Sequence, residues 1–312
     1  MEKLLDLKTI NDLTKNNFIS VVFPIYNASM FIDESIESIL NQSYENFELI
    51  LINDGSTDNS LEKCEKFSKS DSRIKIINNS HQGLTKSLND GIKISSGKYI
   101  ARQDADDISN LERFKIQIDW FMNSENRVLC GTNGNVVTSS GKITQNKAIE
   151  FHHNKIVKKL IYSNCFMHTS VMFLKSAAKK FNYYNQNLTF AQDYDLWWKL
   201  SSLGEVGNIP KKLVTVRRMA ESITLKKAND QTNDFINSSI EYYKKRYGIG
   251  QLLDQNSKEL ENINNHKKIL QFFYSDSLDE KITFNNLTFK QRLLTFLYIK
   301  LYLRKISKYL RL

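Results

Sequence analysis

Between residues 18 and about 137, short apolar runs alternate with longer segments whose apolar positions recur every three to four residues. Residues 18–24 (FISVVFP) predict a strand. Residues 29–42 predict a helix, with Phe31, Ile32, Ile36, Ile39 and Leu40 near one face. Residues 47–54 predict a second strand, and a helix follows from near Thr57 and Asp58, whose side chains suit an N-cap region. The alternation continues with a strand over 73–79, a helix over 83–95, a strand over 98–104 ending in acids, a helix over 109–124 and a strand over 127–138. From about residue 228 the strand signals stop, and 229–247, 255–275 and 287–312 look helical. The predicted organisation is an N-terminal helical segment (1–17), a sheet domain (18–227) and a helical C-terminal region (228–312) with a basic amphipathic tail.

The order implies an α/β fold: a Rossmann-like, mostly parallel sheet with flanking helices, plus a C-terminal helical extension. In such sheets ligands bind at the carboxyl ends of the strands. Three polar clusters sit there: Pro24-Ile25-Tyr26-Asn27, Asn53-Asp54-Gly55-Ser56-Thr57-Asp58, and Arg102-Gln103-Asp104-Ala105-Asp106-Asp107.

Composition narrows the classes. A chain of 312 residues, 41% hydrophobic and 25% charged, can bury its own core and is no disordered polyelectrolyte. Cys64, Cys130 and Cys165 form no CxxC pair, which argues against a zinc ribbon or disulfide framework and for a reducing compartment. The N-terminus lacks a signal-peptide apolar core. The longest apolar run near the C-terminus, Phe296 to Ile299 after Leu293 and Leu294, is far short of a membrane span. The net charge of +10 favours anionic partners, and residues 290–312 carry seven Lys or Arg and no acid. Ile299, Tyr302, Leu303, Ile306 and Leu310 share one helical face there, and Lys300, Arg304, Lys308 and Arg311 another. That pattern fits an interfacial membrane anchor on an anionic surface, or a helix packed on the sheet domain.

Three carboxylates within Asp104–Asp107 repel one another. A divalent cation, Mn²⁺ or Mg²⁺, removes that conflict and can bridge a diphosphate. The competing reading is a solvated turn in which Asp107 and Ser109 cap the next helix. Asp54 is likewise either part of a Gly-containing turn or an acceptor for a nucleobase or ribose.

These segments, with Gly83 to Gly91 and Gly97-Lys98-Tyr99-Ile100-Ala101-Arg102, jointly resemble glycosyltransferase family 2, over residues 18 to about 225. The resemblance implies the GT-A fold and an inverting transferase. Its donor is a nucleotide sugar, UDP by family frequency, and its acceptor a saccharide or lipid-linked hydroxyl in bacterial polysaccharide synthesis. It implies donor contacts from Pro24, Tyr26, Asn27, Asp54, Gly83, Arg102, Asp104, Ala105 and Asp106, and a cation at Asp106 and Asp104, with His168 as a weaker ligand. Ala191-Gln192-Asp193-Tyr194-Asp195-Leu196-Trp197 is similar to the family's acidic motif, which makes Asp193 the general base, with Gln192 where relatives carry Glu. Where a further metal-binding His is expected stands Met219, a poor ligand for hard cations, and Arg217 or Arg218 could contact phosphate instead. One of Trp197 and Trp198 is expected in the core, and the other could stack on a sugar. The family's lipid-linked acceptors place the protein in the cytoplasm, peripheral on the inner membrane face.

Two other readings compete. A nucleotidylyltransferase shares the sheet plan, but Pro24-Ile25-Tyr26-Asn27 lacks the glycines of its phosphate loop. A basic protein binding nucleic acid or membrane without catalysis would explain the charge, yet no nucleic-acid motif is present, so nucleic acid is excluded as a partner.

Overall fold

The computed structural model describes residues 17–138, 142–145, 149–160, 164–188 and 191–218. The chain divides into two units, Met1–Phe235 and Ile236–Leu312, and every described residue lies in the first. Apart from Asn17, the predicted N-terminal helix lies outside the described residues, as do the boundary at 227–228, Met219 and the basic tail.

The strands are β1 (Ile19–Ile25), β2 (Phe47–Asp54), β3 (Ile74–Asn79), β4 (Tyr99–Arg102), β5 (Ile108–Ser109), β6 (Arg127–Thr138), β7 (Ile143–Gln145), β8 (Met172–Leu174) and β9 (Glu205–Arg218). They form one sheet in the order β3-β2-β1-β4-β8-β6-β9-β5, with β7 paired to β6. The predicted parallel arrangement holds across β3-β2-β1-β4 and between β6 and β9. The sheet is mixed beyond β4: β8 runs antiparallel between β4 and β6, and β5 and β7 are antiparallel additions. The β6–β7 link is too short for a parallel crossover, so a hairpin is the geometry left to it.

β1 and β2 are buried along their whole length, as a central strand covered on both faces must be. Pro24 is tolerated in β1 because the β1–β4 ladder ends at Val22–Arg102. The Val22 carbonyl accepts the Gln103 N–H, so Pro24, two residues on, turns its missing donor toward the same side, beyond the ladder.

The helices are α1 (Ile32–Leu40), α2 (Ser60–Ser70), α3 (Leu84–Ile94), α4 (Arg113–Met122), α5 (His153–Leu160), α6 (Lys175–Lys179) and α7 (Gln192–Ser201). On α1, Ile32, Ile36 and Ile39 are buried. α3 lies close on the sheet because Gly91 has no side chain: a Cβ there would stand 2.8 Å from Ile52 Cδ1 and 2.9 Å from Val22 Cγ1.

Two helix starts differ from expectation. α2 begins at Ser60, with Asp58 Oδ1 accepting the Ser60 N–H and hydroxyl. α4 begins at Arg113 rather than near residue 109, because Ile108 and Ser109 pair with Thr215 and Val214 of β9. Asp107 and Ser109 therefore do not cap it; Glu112 occupies that position.

Candidate active site

The carboxyl ends of β1 and β2 are tied together by short polar side chains. Asn27, in the left-handed region at φ 50°, accepts the Thr57 N–H through Oδ1 and gives its own N–H to Ser56 Oγ. Asp58 Oδ2 accepts the Ser29 N–H, and these bonds, resisted by burial, hold its carboxyl at about 2. Asp54 is buried at the end of β2, where Oδ1 accepts the Gln82 N–H at 2.9 Å and Oδ2 the Gly83 N–H at 3.0 Å. It thereby fixes the turn into α3. Gly83 begins that turn at φ 91°, a value that needs glycine even though a Cβ would meet nothing within 4 Å. Half-exposed Tyr26 stacks on His81, ring centroids 4.2 Å apart and planes at 26°. His81 Nδ1 lies 3.1 Å from the Asp54 carbonyl oxygen and 3.0 Å from its Oδ2. Tyr26, Asn27, Asp54 and Gly83 thus converge as expected, with His81 and Gln82 beside them.

The acidic loop follows β4. Oxygens of Asp104, Asp106 and Asp107 lie within 4.8 Å of one another. Burial, then the charge of Asp104, pushes the Asp106 carboxyl up to about 6. The same two causes, with Asp106 added, raise Asp107 well above the usual carboxylate range. Asp107, for which the sequence left clustering and capping as alternatives, is a full member of the cluster. His168 is not: its Nε2 lies 3.0 Å from the Tyr184 hydroxyl. Burial, then the Arg102 charge, holds its pKa well below the usual imidazole range.

Arg102 is 2% exposed and ion-paired to Asp104, so it stands behind that carboxylate rather than on the cleft wall. Its charge also favours the ionised forms of Asp106, Asp107 and Asp193. Pro24 and Ala105 are buried, so they can offer a ligand backbone and shape but little side-chain surface.

Beneath the loop lies a residue that sequence reasoning missed. Arg113 is wholly buried and donates five bonds: Nε to Gln117 Oε1, Nη1 to Gln103 Oε1 and Ser109 Oγ, and Nη2 to the carbonyls of Arg102 and Val171. Burial pushes its guanidinium down to about 9, since all five acceptors are neutral. Gln103 completes the frame by donating to the Asp107 carbonyl at 2.7 Å. The signal was present: Arg113 shares a helical face with Phe114, Gln117, Ile118 and Phe121, all buried.

Asp193 is the second residue of α7, whose N-cap Ala191 is held in the left-handed region at φ 56°. Its Oδ2 accepts from Asn164 Nδ2 at 2.7 Å. Burial raises its pKa; the Tyr194 N–H, Asn164 and Arg102 oppose that. Behind it, Trp197 packs edge-on against Phe166, His168 and Tyr184. Trp197 and Trp198 are both buried, so neither offers a face to a sugar, a correction to the expectation for one of them. The side chain of Arg217, one of the two arginines that could contact phosphate, is engaged within the protein. It donates to the Asp106 carbonyl and pairs with Glu34, while Arg218 ends β9 exposed.

A sheet of this order, with an acidic loop after β4 and a half-buried acid in the first turn of α7, defines a GT-A glycosyltransferase. The glycosyl transferase family 2 model matches residues 20–181, and the chain belongs to that family. An uncharacterized glycosyltransferase of Haemophilus influenzae is 34% identical over 248 residues, 74% of this chain and 76% of the relative. One from Rickettsia bellii is 33% identical over 219 residues, 70% of this chain but 31% of its own length. The O-antigen biosynthesis glycosyltransferase WbnJ of Escherichia coli is 32% identical over 195 residues, 62% of this chain and 74% of its own. Among solved structures, S. aureus TarS in complex with UDP superposes with a TM-score of 0.58 at 19% identity, covering 72% of this chain and 65% of that one. Among the described residues no helix is long and apolar enough to cross a membrane.

Proposed function

We propose that this transferase moves a hexosyl or N-acetylhexosaminyl group, with inversion, from a UDP-sugar to a hydroxyl of a saccharide or lipid-linked acceptor in surface polysaccharide synthesis. The observation that carries the reading is the acidic loop of Asp104, Asp106 and Asp107, with half-buried Asp193 in the first turn of α7 and the charge of Arg102 acting on both. The O-antigen role in the name of WbnJ and the UDP-bound TarS support polysaccharide synthesis and the nucleotide.

The donor set fits a hard divalent cation: three clustered carboxylates, two of them raised in pKa by burial and mutual repulsion. Asp106 and Asp107 would hold Mn²⁺ or Mg²⁺, with Asp104 shared between it and the ribose or diphosphate. When bound, the cation neutralises negative charge on the departing diphosphate. Tyr26 offers an exposed ring to the nucleobase, and Asp54 holds the turn carrying His81, Gln82 and Gly83 against it. Asp193 accepts the proton of the acceptor hydroxyl as that oxygen bonds to the anomeric carbon. The bond from that carbon to the β-phosphate oxygen breaks on the opposite face, so an α-linked donor gives a β-glycoside and UDP.

The test is UDP release from a panel of UDP-sugars, with Mn²⁺ or with EDTA, by wild type and Asp106→Asn. Donor-dependent release that needs Mn²⁺ and is lost in the variant is expected. Equal release in EDTA would remove the cation from the reaction.

A further inference from the structure

Arg217 reaches the acidic loop from 110 positions along the chain. Its backbone N–H donates to Asp107 Oδ1 at 2.9 Å, and its Nη1 to the Asp106 carbonyl at 2.6 Å. Nη2 pairs with Glu34 on α1, and the guanidinium lies 5.0 Å from the Phe31 ring at the start of that helix. The Arg217 side chain is 16% exposed; that of Glu34 is 61% exposed. One residue therefore fixes an Asp107 oxygen, the peptide of Asp106 and the distance of both from α1.

We propose that Arg217 is a positioning residue for the cation-holding loop, with Glu34 as its anchor. The inference rests on the cation reading given above. Three carboxylates that repel one another spread apart unless their backbone is held. Arg217 holds it through a carbonyl, without neutralising the side chains that face the cation. The rigid fork of a guanidinium sets both partners at once, whereas a lysine ammonium satisfies one of them at a time. Glu34 acts through Arg217, pairing with its guanidinium rather than with the carboxylates of the loop.

Mn²⁺ binding to the full-length protein, followed by electron paramagnetic resonance of the unbound ion, tests this without turnover. Outer partners of metal ligands typically contribute a factor of roughly 10 to 100 in affinity, so Arg217→Met should weaken Mn²⁺ by about that much. Arg217→Lys should recover part of the loss. Glu34→Gln should cost less, and adding it to Arg217→Met should cost nothing more, because the anchor works only through the arginine. Arg217→Met that folds and binds Mn²⁺ as wild type does overturns the proposal, as do additive losses in the double variant. If Arg217→Met fails to fold, Glu34→Gln at its exposed position decides: unchanged Mn²⁺ affinity there overturns the proposal. Wild-type protein that binds no Mn²⁺ overturns the cation reading, and this inference with it.

Discussion

Replacing Asp193 by Asn exchanges a half-buried carboxylate for a neutral amide of nearly the same shape. The amide oxygen can still accept the bond from Asn164 Nδ2, so the start of α7 keeps its local partner. What disappears is the proton acceptor. General-base catalysis is worth roughly 10²–10⁴ in rate, or about 3–5 kcal/mol of barrier. Stability should move the other way. Burial raises the folded-state pKa of Asp193 above 3.8, so the ionised form weighs against the fold at neutral pH. The native state is favoured most below the ordinary value and loses that advantage as pH rises through the raised one. Asp193→Asn should therefore melt at or above the wild-type temperature at pH 7, with the difference shrinking toward about pH 4. Three measurements are needed: acceptor-dependent UDP release, UDP affinity by calorimetry, and melting temperature across pH. Transfer lost by 10²-fold or more, with UDP affinity and Tm retained, is the expected result. Transfer within about tenfold of wild type removes Asp193 as the base. A Tm lower by about 4 °C, roughly 1–2 kcal/mol at this size, would make its role structural.

Two further outcomes follow from the same reasoning. Arg113→Met removes five buried hydrogen bonds under the acidic loop; Gln103 Oε1 keeps the Ser109 hydroxyl and the Val171 carbonyl keeps the Arg102 N–H, but the other acceptors lose this partner. The change should therefore cost about 3–5 kcal/mol, read as a Tm drop on the order of 10 °C; a wild-type melt would show that the frame is not needed. If the basic tail is an interfacial anchor, as its charge pattern suggests, changing Lys300, Arg304, Lys308 and Arg311 to Gln releases the full-length protein from anionic liposomes, at about 1 kcal/mol per residue, while donor hydrolysis persists. Unchanged sedimentation would end the idea of a membrane anchor at the inner leaflet.

From residue 18 to about 137 the sequence by itself determined the order of strands and helices apart from β5, because burial on one face imprints a period of 2 or 3.6 that neighbouring residues carry together; β7, β8, β9 and the short helices among them were not read from it. It therefore located Tyr26, Asn27, Asp54, Gly83 and the acids after β4 at one edge of the sheet. It could not show that Ile108 and Ser109 pair with β9, which delays α4 and decides between the two readings of Asp107, cap or member of the cluster, in favour of the cluster. Nor could it show that Arg102 lies wholly inside, or that Arg113, although placed on an apolar helical face, is fully covered rather than solvated at its tip. Trp197 and Trp198 differ by one position, and α7 buries both because it is covered on more than one side. The contact of Arg217 with Asp106, Asp107 and Glu34 joins three elements far apart in sequence, and the packing of β9 beside β5 is what brings them together. Local pattern fixes elements; which charges meet is decided only when the layers close.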